Sequence, residues 1–339
     1  MHWRRQGAPI QGLGEYWTAR MFAAATDREF VDARHVLGFD NQGRVNSDST
    51  SGLVRDELRP DRRYVVPGFY GADSQGRMRV LERGGSDVTG ALIARGLDAT
   101  SYDIWSDVDG LMNANPNNVP VARLRPQATL REMREMANGG AELVHRDAIR
   151  YMQYGRTPIR LWNSFGQQDA PGTIISGQRD WAETPVIGVT SRDDLMELAI
   201  HEFGLNEQVG ATTELYETLA KSGVPYEHIL TSLDDLSVIF RAEYRNKLPY
   251  QLHGLNSPQG DVRLRCIGLV SMVGEGLAQS GTVRSQTLGQ AATALSNAGI
   301  EHLTTGGAPN SVSAMFYVDT ETTDIQEATR VVHNAVCEE

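Results

Sequence analysis

One six-residue pattern, written twice, limits the folds open to this chain more than any other feature. Leu219-Ala220-Lys221-Ser222-Gly223-Val224 and Leu295-Ser296-Asn297-Ala298-Gly299-Ile300 stand 76 residues apart. In each, a helical run ends at glycine, which accepts the left-handed conformation that closes a helix, and a β-branched residue follows at once. Each copy is preceded by a strand-like run, Met196 to Ile200 and Cys266 to Met272. Each is followed by a strand pair, within Ile229 to Phe240 and within Glu301 to Val318. The pattern predicts two small β-α-β-β units of roughly 70 residues, either a pair of regulatory domains or a repeated structural module without a ligand.

Ahead of the repeat, apolar runs alternate with helical patterns. Gly12 to Ala23 carries Tyr16, Ala19 and Ala23 on one helical face, with Glu15 in its first turn. Phe30 to Arg34 reads as a short strand, residues 38–63 as a loop with a short helix, Tyr64 to Pro67 and Thr100 to Trp105 as further strands. Thr129-Leu130-Arg131-Glu132 is a capping box that opens a helix with Leu130, Met133 and Met136 inward, stopped by Gly139-Gly140. A second helix is expected over Ala141 to Tyr154, then a strand over Pro158 to Trp162, and Gly177 to Asp180 reads as a linker. Strands that end in polar or glycine residues and alternate with helices argue for a mostly parallel sheet with helices on both faces. In such sheets ligands gather outside the carboxyl ends of the strands, which would collect Gly68, Arg83 and Asp107.

Within that frame, Val65 to Gly71 followed by Leu81-Glu82-Arg83-Gly84-Gly85-Ser86-Asp87 stands out. A cation, two glycines, a hydroxyl and a carboxylate immediately precede a helical pattern (Val88, Ala91, Leu92). Ser86 or Asp87 can cap that helix. Backbone amides at its start, opened by glycine and backed by an arginine, suit a small anion. An ordinary glycine turn beside a surface arginine has the same sequence, and only context separates the two.

Charge narrows the classes. Lysine and arginine total 32 against 43 acids, a formal net charge of -11. Such a chain, with no basic cluster, is a poor ligand for nucleic acid or an anionic membrane. The two cysteines, Cys266 and Cys337, give neither a disulfide framework nor metal spacing, and His201-Glu202 lacks the second histidine of a zinc hydrolase motif. No apolar run approaches a membrane span and no signal-peptide core is present, so the expectation is a cytoplasmic protein without a metal site.

The residues now carry a resemblance. Gly68-Phe69, Arg83-Gly84-Gly85-Ser86-Asp87, Trp105-Ser106-Asp107-Val108-Asp109-Gly110, Asn163-Ser164-Phe165 and Pro171-Gly172-Thr173 occur in the order seen in aspartokinases. Glu15, in Gly14-Glu15-Tyr16-Trp17, matches the helix those enzymes carry before this block, and the repeat fits their paired C-terminal ACT domains. Thr231-Ser232, Ser237-Val238, Gly306-Gly307-Ala308 and Asn310-Ser311 look most like the lysine-sensitive and bifunctional branches. The resemblance covers nearly the whole chain from Gly12.

It implies an α/β protein: an incomplete amino-acid-kinase three-layer αβα domain over residues 1–178, then two ferredoxin-like (βαββαβ) ACT domains over 179–255 and 256–339. It further implies transfer of the ATP γ-phosphoryl group, with Mg2+, to the side-chain carboxylate of L-aspartate, giving 4-phospho-L-aspartate on the way to lysine, threonine and methionine. Arg83 and Asp87 would be catalytic, and Glu15, Gly68, Phe69, Arg83, Gly84, Gly85, Ser86 and Asp87 would seat aspartate. Ser106, Asp107, Met112, Asn117 and Glu142 take the nucleotide positions. Leu205, Gln208, Gly210, Ala211, Glu227, Thr231 and Ser232 take the positions of an amino-acid effector, lysine or threonine, and the ACT domains imply a homodimer.

Departures from the family fall on the donor side. The family's opening Lys-Phe-Gly-Gly-Thr-Ser stretch has no counterpart, so the kinase domain is expected to lack its N-terminal part. Tyr-Thr-x-Asp-Pro-Arg becomes Met112-Asn113-Ala114-Asn115-Pro116-Asn117, and Ala-Lys-Val-Leu-His-Pro becomes Ala141-Glu142-Leu143-Val144-His145-Arg146. A lost cationic clamp on a transferring phosphate can cost about 10³ to 10⁵ in rate. In the effector loop Ala211 replaces a large apolar residue. Two readings follow, an aspartate kinase under amino-acid control and an impaired homologue that binds an amino acid as a sensor or regulatory partner.

Overall fold

The computed structural model describes residues 7–81, 84–140, 143–152, 156–166, 172–248 and 260–337. It divides into two units: residues 1–111 with 124–179, and residues 112–123 with 180–339. No helix among the described residues is long and apolar enough to cross a membrane.

The first unit runs α1 (Gly7–Ala25), β1 (Glu29–Phe30), β2 (Gly38–Phe39), α2 (Ser47–Glu57), β3 (Tyr64–Val65), β4 (Tyr70–Asp73) and β5 (Met78–Val80). It continues with α3 (Gly85–Gly96), β6 (Tyr102–Ser106), β7 (Gln127–Thr129), α4 (Leu130–Asn138), α5 (Arg146–Met152), β8 (Ile159–Asn163) and β9 (Thr173–Ser176). Parallel pairs predominate, as the alternating sequence requires, but among the described residues the ladder is divided among three small sheets: β1-β3, β2-β4-β5 and β6-β8-β9-β7. β4–β5 and β8–β9 are antiparallel. On β6 and β8 the odd and even positions separate cleanly. Tyr102, Ile159 and Leu161 turn to the side where α3 lies, Tyr102 donating its hydroxyl to the Asp87 carbonyl at 3.1 Å, while Trp105 on the other side stays 64% exposed. The helices of this unit thus cover one face of that sheet among the described residues, not both.

Several local expectations change. Phe30 to Arg34 is strand only at its start. Asp32 then caps a 3-10 turn over Ala33–His35, accepting from the Arg34 N–H at 3.0 Å and holding the Arg34 guanidinium at 2.7 Å. The helix expected over 141–154 forms only as Arg146–Met152 among the described residues. The capping box is present as written, Thr129 Oγ1 accepting from the Glu132 N–H at 3.1 Å and Glu132 Oε2 from the Thr129 N–H at 2.8 Å. The linker Gly177 to Asp180 is pinned. Arg179, 3% exposed, donates to both oxygens of Glu132, 0% exposed, at 2.8 and 2.6 Å.

The second unit holds β10 (Gly188–Glu202), α6 (Ala211–Lys221), β11 (His228–Thr231), β12 (Asp235–Arg241), β13 (Gly260–Val273), α7 (Glu275–Gln279), α8 (Gly281–Asn297), β14 (Thr304–Gly306), β15 (Ser313–Asp319) and α9 (Ile325–Cys337). Among the described residues its six strands make one antiparallel sheet in the order β11-β12-β10-β13-β15-β14. The repeat explains that order. β10 and β13 open the two copies and lie side by side, paired from Gly188↔Val273 to Glu202↔Gly260 with a register shift between Arg192 and Leu195. Each fills the place beside the other where a fourth strand of its own copy would lie. The two copies therefore share one sheet. Met196, Leu198, Val238 and Phe240 pack with Leu215 and Leu219 of α6, and Val270, Met272 and Phe316 pack with α8 and α9. Leu195, Ile239, Ile267, Leu269, Met315 and Tyr317 form a third cluster. Within it His228 Nδ1 and Tyr317 Oη meet at 2.5 Å, joining an outer strand of one copy to the other copy.

Candidate active site

The site is built where β3 turns into β4 and where α3 begins. Gly68 is required by proximity: a Cβ there would lie 2.8 Å from both Cα and Oγ of Ser86. Phe69 follows with φ at 76°, a left-handed value costly for a bulky side chain. It is held by its N–H on Thr89 Oγ1 at 3.2 Å and its carbonyl on the Leu81 N–H at 2.7 Å. Across the turn, Gly84 is the left-handed cap of α3 with φ at 79°, and a Cβ on it would run into the His145 ring. The N-cap residue, Gly84, has no side chain to cap this helix, so among the described residues its first-turn N–H groups have no partner within the helix or from that cap. Unsatisfied amides and the positive end of the helix dipole coincide at Gly85, Ser86 and Asp87.

Around them, Ser86 is exposed and Asp87 half-buried. Asp87 Oδ2 faces the His145 N–H at 3.4 Å. Burial, with the Asp87 charge behind it, pushes the Tyr102 hydroxyl well above its ordinary range, so it stays a donor to the helix. On the other flank of α3, Gly85, Val88, Leu81 and His145 line a cavity of about 240 Å³ with Arg44 and Tyr151 at its edge. Buried Asp32, bonded to the Tyr70 hydroxyl and to the exposed Arg34, stiffens the β4 side. Burial opposes the charge on Asp32, but the Arg34 guanidinium and N–H hold its carboxyl below the usual range.

The structure thus brings together Gly68, Phe69, Gly84, Gly85, Ser86 and Asp87. Glu15 is exposed on α1. Ser106 and Asp107 follow one another at the carboxyl end of β6, with Ser106 Oγ on Asp107 Oδ1 at 3.1 Å, and Asn163 Nδ2 holds nearby Asp109 at 2.7 Å. Met112 and Asn117 belong to the stretch that folds with the second unit, where the Asn113 carbonyl accepts from the Val189 N–H. Arg83 and Glu142 lie outside the described residues. Sequence reasoning missed Tyr102 and Thr89, which carry no motif, and gave His145 no role against Gly84.

In the second unit the effector positions fall into two groups. Leu205, Gln208 and Gly210 lie in the turn before α6. That turn is tied to the β11–β12 bend by the Gly204 N–H on Asp234 Oδ1 at 2.8 Å and the Asn206 N–H on the Leu233 carbonyl at 3.1 Å. Gly210 is the left-handed cap that starts α6 at Ala211. Thr231 and Ser232 line a cavity of about 550 Å³ with His201, Glu197, Asp235 and Arg265. Glu227 lies at the opposite end of β11, where Arg241 holds its carboxylate at 2.6 Å. Among the described residues no three carboxylate, imidazole or thiolate side chains converge on a metal site.

Comparison with known proteins agrees with this geometry. Residues 4–163 match the model of the amino acid kinase family. Aspartokinase 3 of Bacillus subtilis is 28% identical over 324 residues, 91% of this chain and 70% of its own length. The aspartokinase of Pseudomonas aeruginosa is 29% identical over 80% of this chain and 70% of itself. The crystal structure of Clostridium acetobutylicum aspartate kinase superposes with a TM-score of 0.84 at 26% identity, covering 96% of this chain and 74% of that one. Escherichia coli aspartokinase III, solved with aspartate and ADP, shares the fold at a TM-score of 0.76 and 23% identity. Over residues 4–163 the chain is thus similar to amino acid kinases, and over most of its length it is similar to aspartokinases.

Proposed function

We propose that this protein is an aspartate kinase that transfers the γ-phosphoryl group of ATP to the side-chain carboxylate of L-aspartate, giving 4-phospho-L-aspartate. The observation that carries the reading is the start of α3 behind its side-chain-free cap Gly84, with Gly68 pressed onto Ser86. Phosphoryl transfer asks little covalent chemistry of a protein and much positioning and charge stabilisation. Amides at Gly85 to Asp87 are aimed where negative charge develops between carboxylate and phosphoryl group. The carboxylates of Asp87 and Glu15 are the groups to hold the substrate ammonium, and Arg83 is the cation to grip its α-carboxylate. Ser106 and Asp107 would order the nucleotide. With no three-ligand metal site among the described residues, Mg2+ fits best as an ion carried on the ATP phosphates with one or two carboxylates at hand, and it would supply charge neutralisation there.

Control by an amino-acid effector, lysine or threonine, at the turn of Leu205 to Gly210 beside Ser232 completes the reading, in a homodimer located in the cytoplasm. The decisive experiment traps acyl phosphate as the hydroxamate with aspartate, ATP and Mg2+. Product that depends on all three supports the kinase; none from folded protein removes it. Saturating lysine or threonine should raise the melting temperature, since a ligand at a hundred times its Kd adds about 2.7 kcal/mol. No shift with either removes the effector.

A further inference from the structure

The left-handed cap that starts α3 has to be held from outside. Glycine takes positive and negative φ about equally readily, so Gly84 permits its φ of 79° without enforcing it. The amides of Gly85, Ser86 and Asp87 are therefore aimed only as well as that one residue is fixed. Two walls fix it. At Gly85 a Cβ would lie 2.7 Å from Leu81 Cβ and 3.0 Å from the Phe69 ring, so the Phe69 turn and the chain after β5 close on the helix there. At Gly84 the wall is the imidazole of His145, whose Cγ and Nε2 would stand 2.5 and 3.0 Å from such a Cβ.

His145 is anchored well enough to serve as a wall. It stands immediately before α5, which packs against α3. Its Nδ1 accepts from the Asp147 N–H at 3.3 Å, which caps α5 and fixes the rotation of the ring. Its carbonyl accepts from the Ile149 N–H at 3.2 Å, and its own N–H faces Asp87 Oδ2 at 3.4 Å. One edge of the imidazole is thus tied to α5, and the opposite edge, Cδ2 and Nε2, leans on Gly84. We propose that His145 is a positioning residue for phosphoryl transfer. Its ring keeps Gly84 left-handed, so that the α3 amides hold their aim while negative charge develops in front of them. Donors of this kind work by being fixed beforehand, and a displacement of about 1 Å can cost about 100-fold in rate. The inference rests on the aspartate-kinase reading; the clamp itself is measured apart from catalysis.

Two substitutions separate the ring from the cap. His145→Asn keeps a side-chain oxygen for the Asp147 N–H and removes the ring, whereas His145→Phe keeps a ring against Gly84 and loses the acceptor. His145→Asn should melt like the parent yet lose about 10- to 100-fold in kcat. The KM for aspartate should change less than about threefold, because the main-chain N–H that faces Asp87 stays in place. His145→Phe should melt lower and recover most of that kcat. Amide hydrogen exchange reads the clamp directly: Ser86 and Asp87 should exchange at least about tenfold faster in the Asn variant than in the Phe variant. Full kcat in the Asn variant overturns the proposal, as does a kcat that follows the melting temperature across the pair, or equal exchange. No acyl phosphate from the parent removes the kinase reading, and the exchange comparison then still decides the clamp.

Discussion

At the scale of single residues, the site depends on two glycines for different reasons. Gly68 is excluded from carrying a side chain by the Ser86 backbone, and Gly84 by its left-handed φ and the His145 ring. Gly84→Ala should lower stability by at least about 1–2 kcal/mol from backbone conformation alone, read as a fall in the urea midpoint. An unchanged midpoint would mean that the cap is not left-handed in solution. Asp87→Asn keeps the shape and removes the charge. If Asp87 holds the substrate ammonium, kcat/KM for aspartate should fall about 10- to 100-fold, the worth of one charge-assisted hydrogen bond. Nearly unaltered kinetics would place the ammonium elsewhere. These side chains could be picked from the sequence because the glycines, hydroxyl and acid stand together in it. Tyr102 could not, since its link to Asp87 arises only when β6 packs beside α3.

Among the elements, α4 shows what was readable and what was not. Its capping box is a four-residue signal and forms as predicted. The same Glu132 also anchors Arg179, 47 residues away, and no local pattern announces that pair. Breaking a buried pair by removing one partner typically costs about 3–5 kcal/mol, because the other charge is left uncompensated. Arg179→Ala should therefore destabilise the first unit by that order, and more than Thr129→Ala, which removes one capping bond. The reverse ranking in thermal melts would show that the pair is not buried in solution. The sheet of the first unit was legible as alternating strands and helices. Its division into three parts was not, because strand pairing depends on partners distant in the chain.

For the whole molecule, the repeat predicted the second unit's elements, and its single sheet follows from the pairing of the two opening strands. Neither copy should fold alone: residues 180–255 and 256–339 expressed separately should lack a cooperative melt that residues 180–339 show. A sharp melt from either fragment would refute the shared sheet. The contact of His228 with Tyr317 adds a pH dependence. Burial pushes the imidazole below its ordinary value, with Arg192 reinforcing and Glu227 opposing. A histidine whose folded pKa is depressed contributes its full stability above the unfolded value, near 6.5, and loses it as pH falls through that value toward the folded one. The melting temperature should drop on acidification below about pH 6.5, and His228→Gln should flatten that drop. A variant with the parent's pH profile would assign the effect to other groups. The pairing of β10 with β13 also governs how the chain can be made. Translation at about 5–20 residues per second leaves β10 outside the ribosome for several seconds before β13 follows. Through that interval it presents a bare strand edge to the neighbouring nascent chains of the same polysome. A β13 from one of those chains offers the same hydrogen bonds as its own, so exchanged strands between copies are the misassembly this architecture invites.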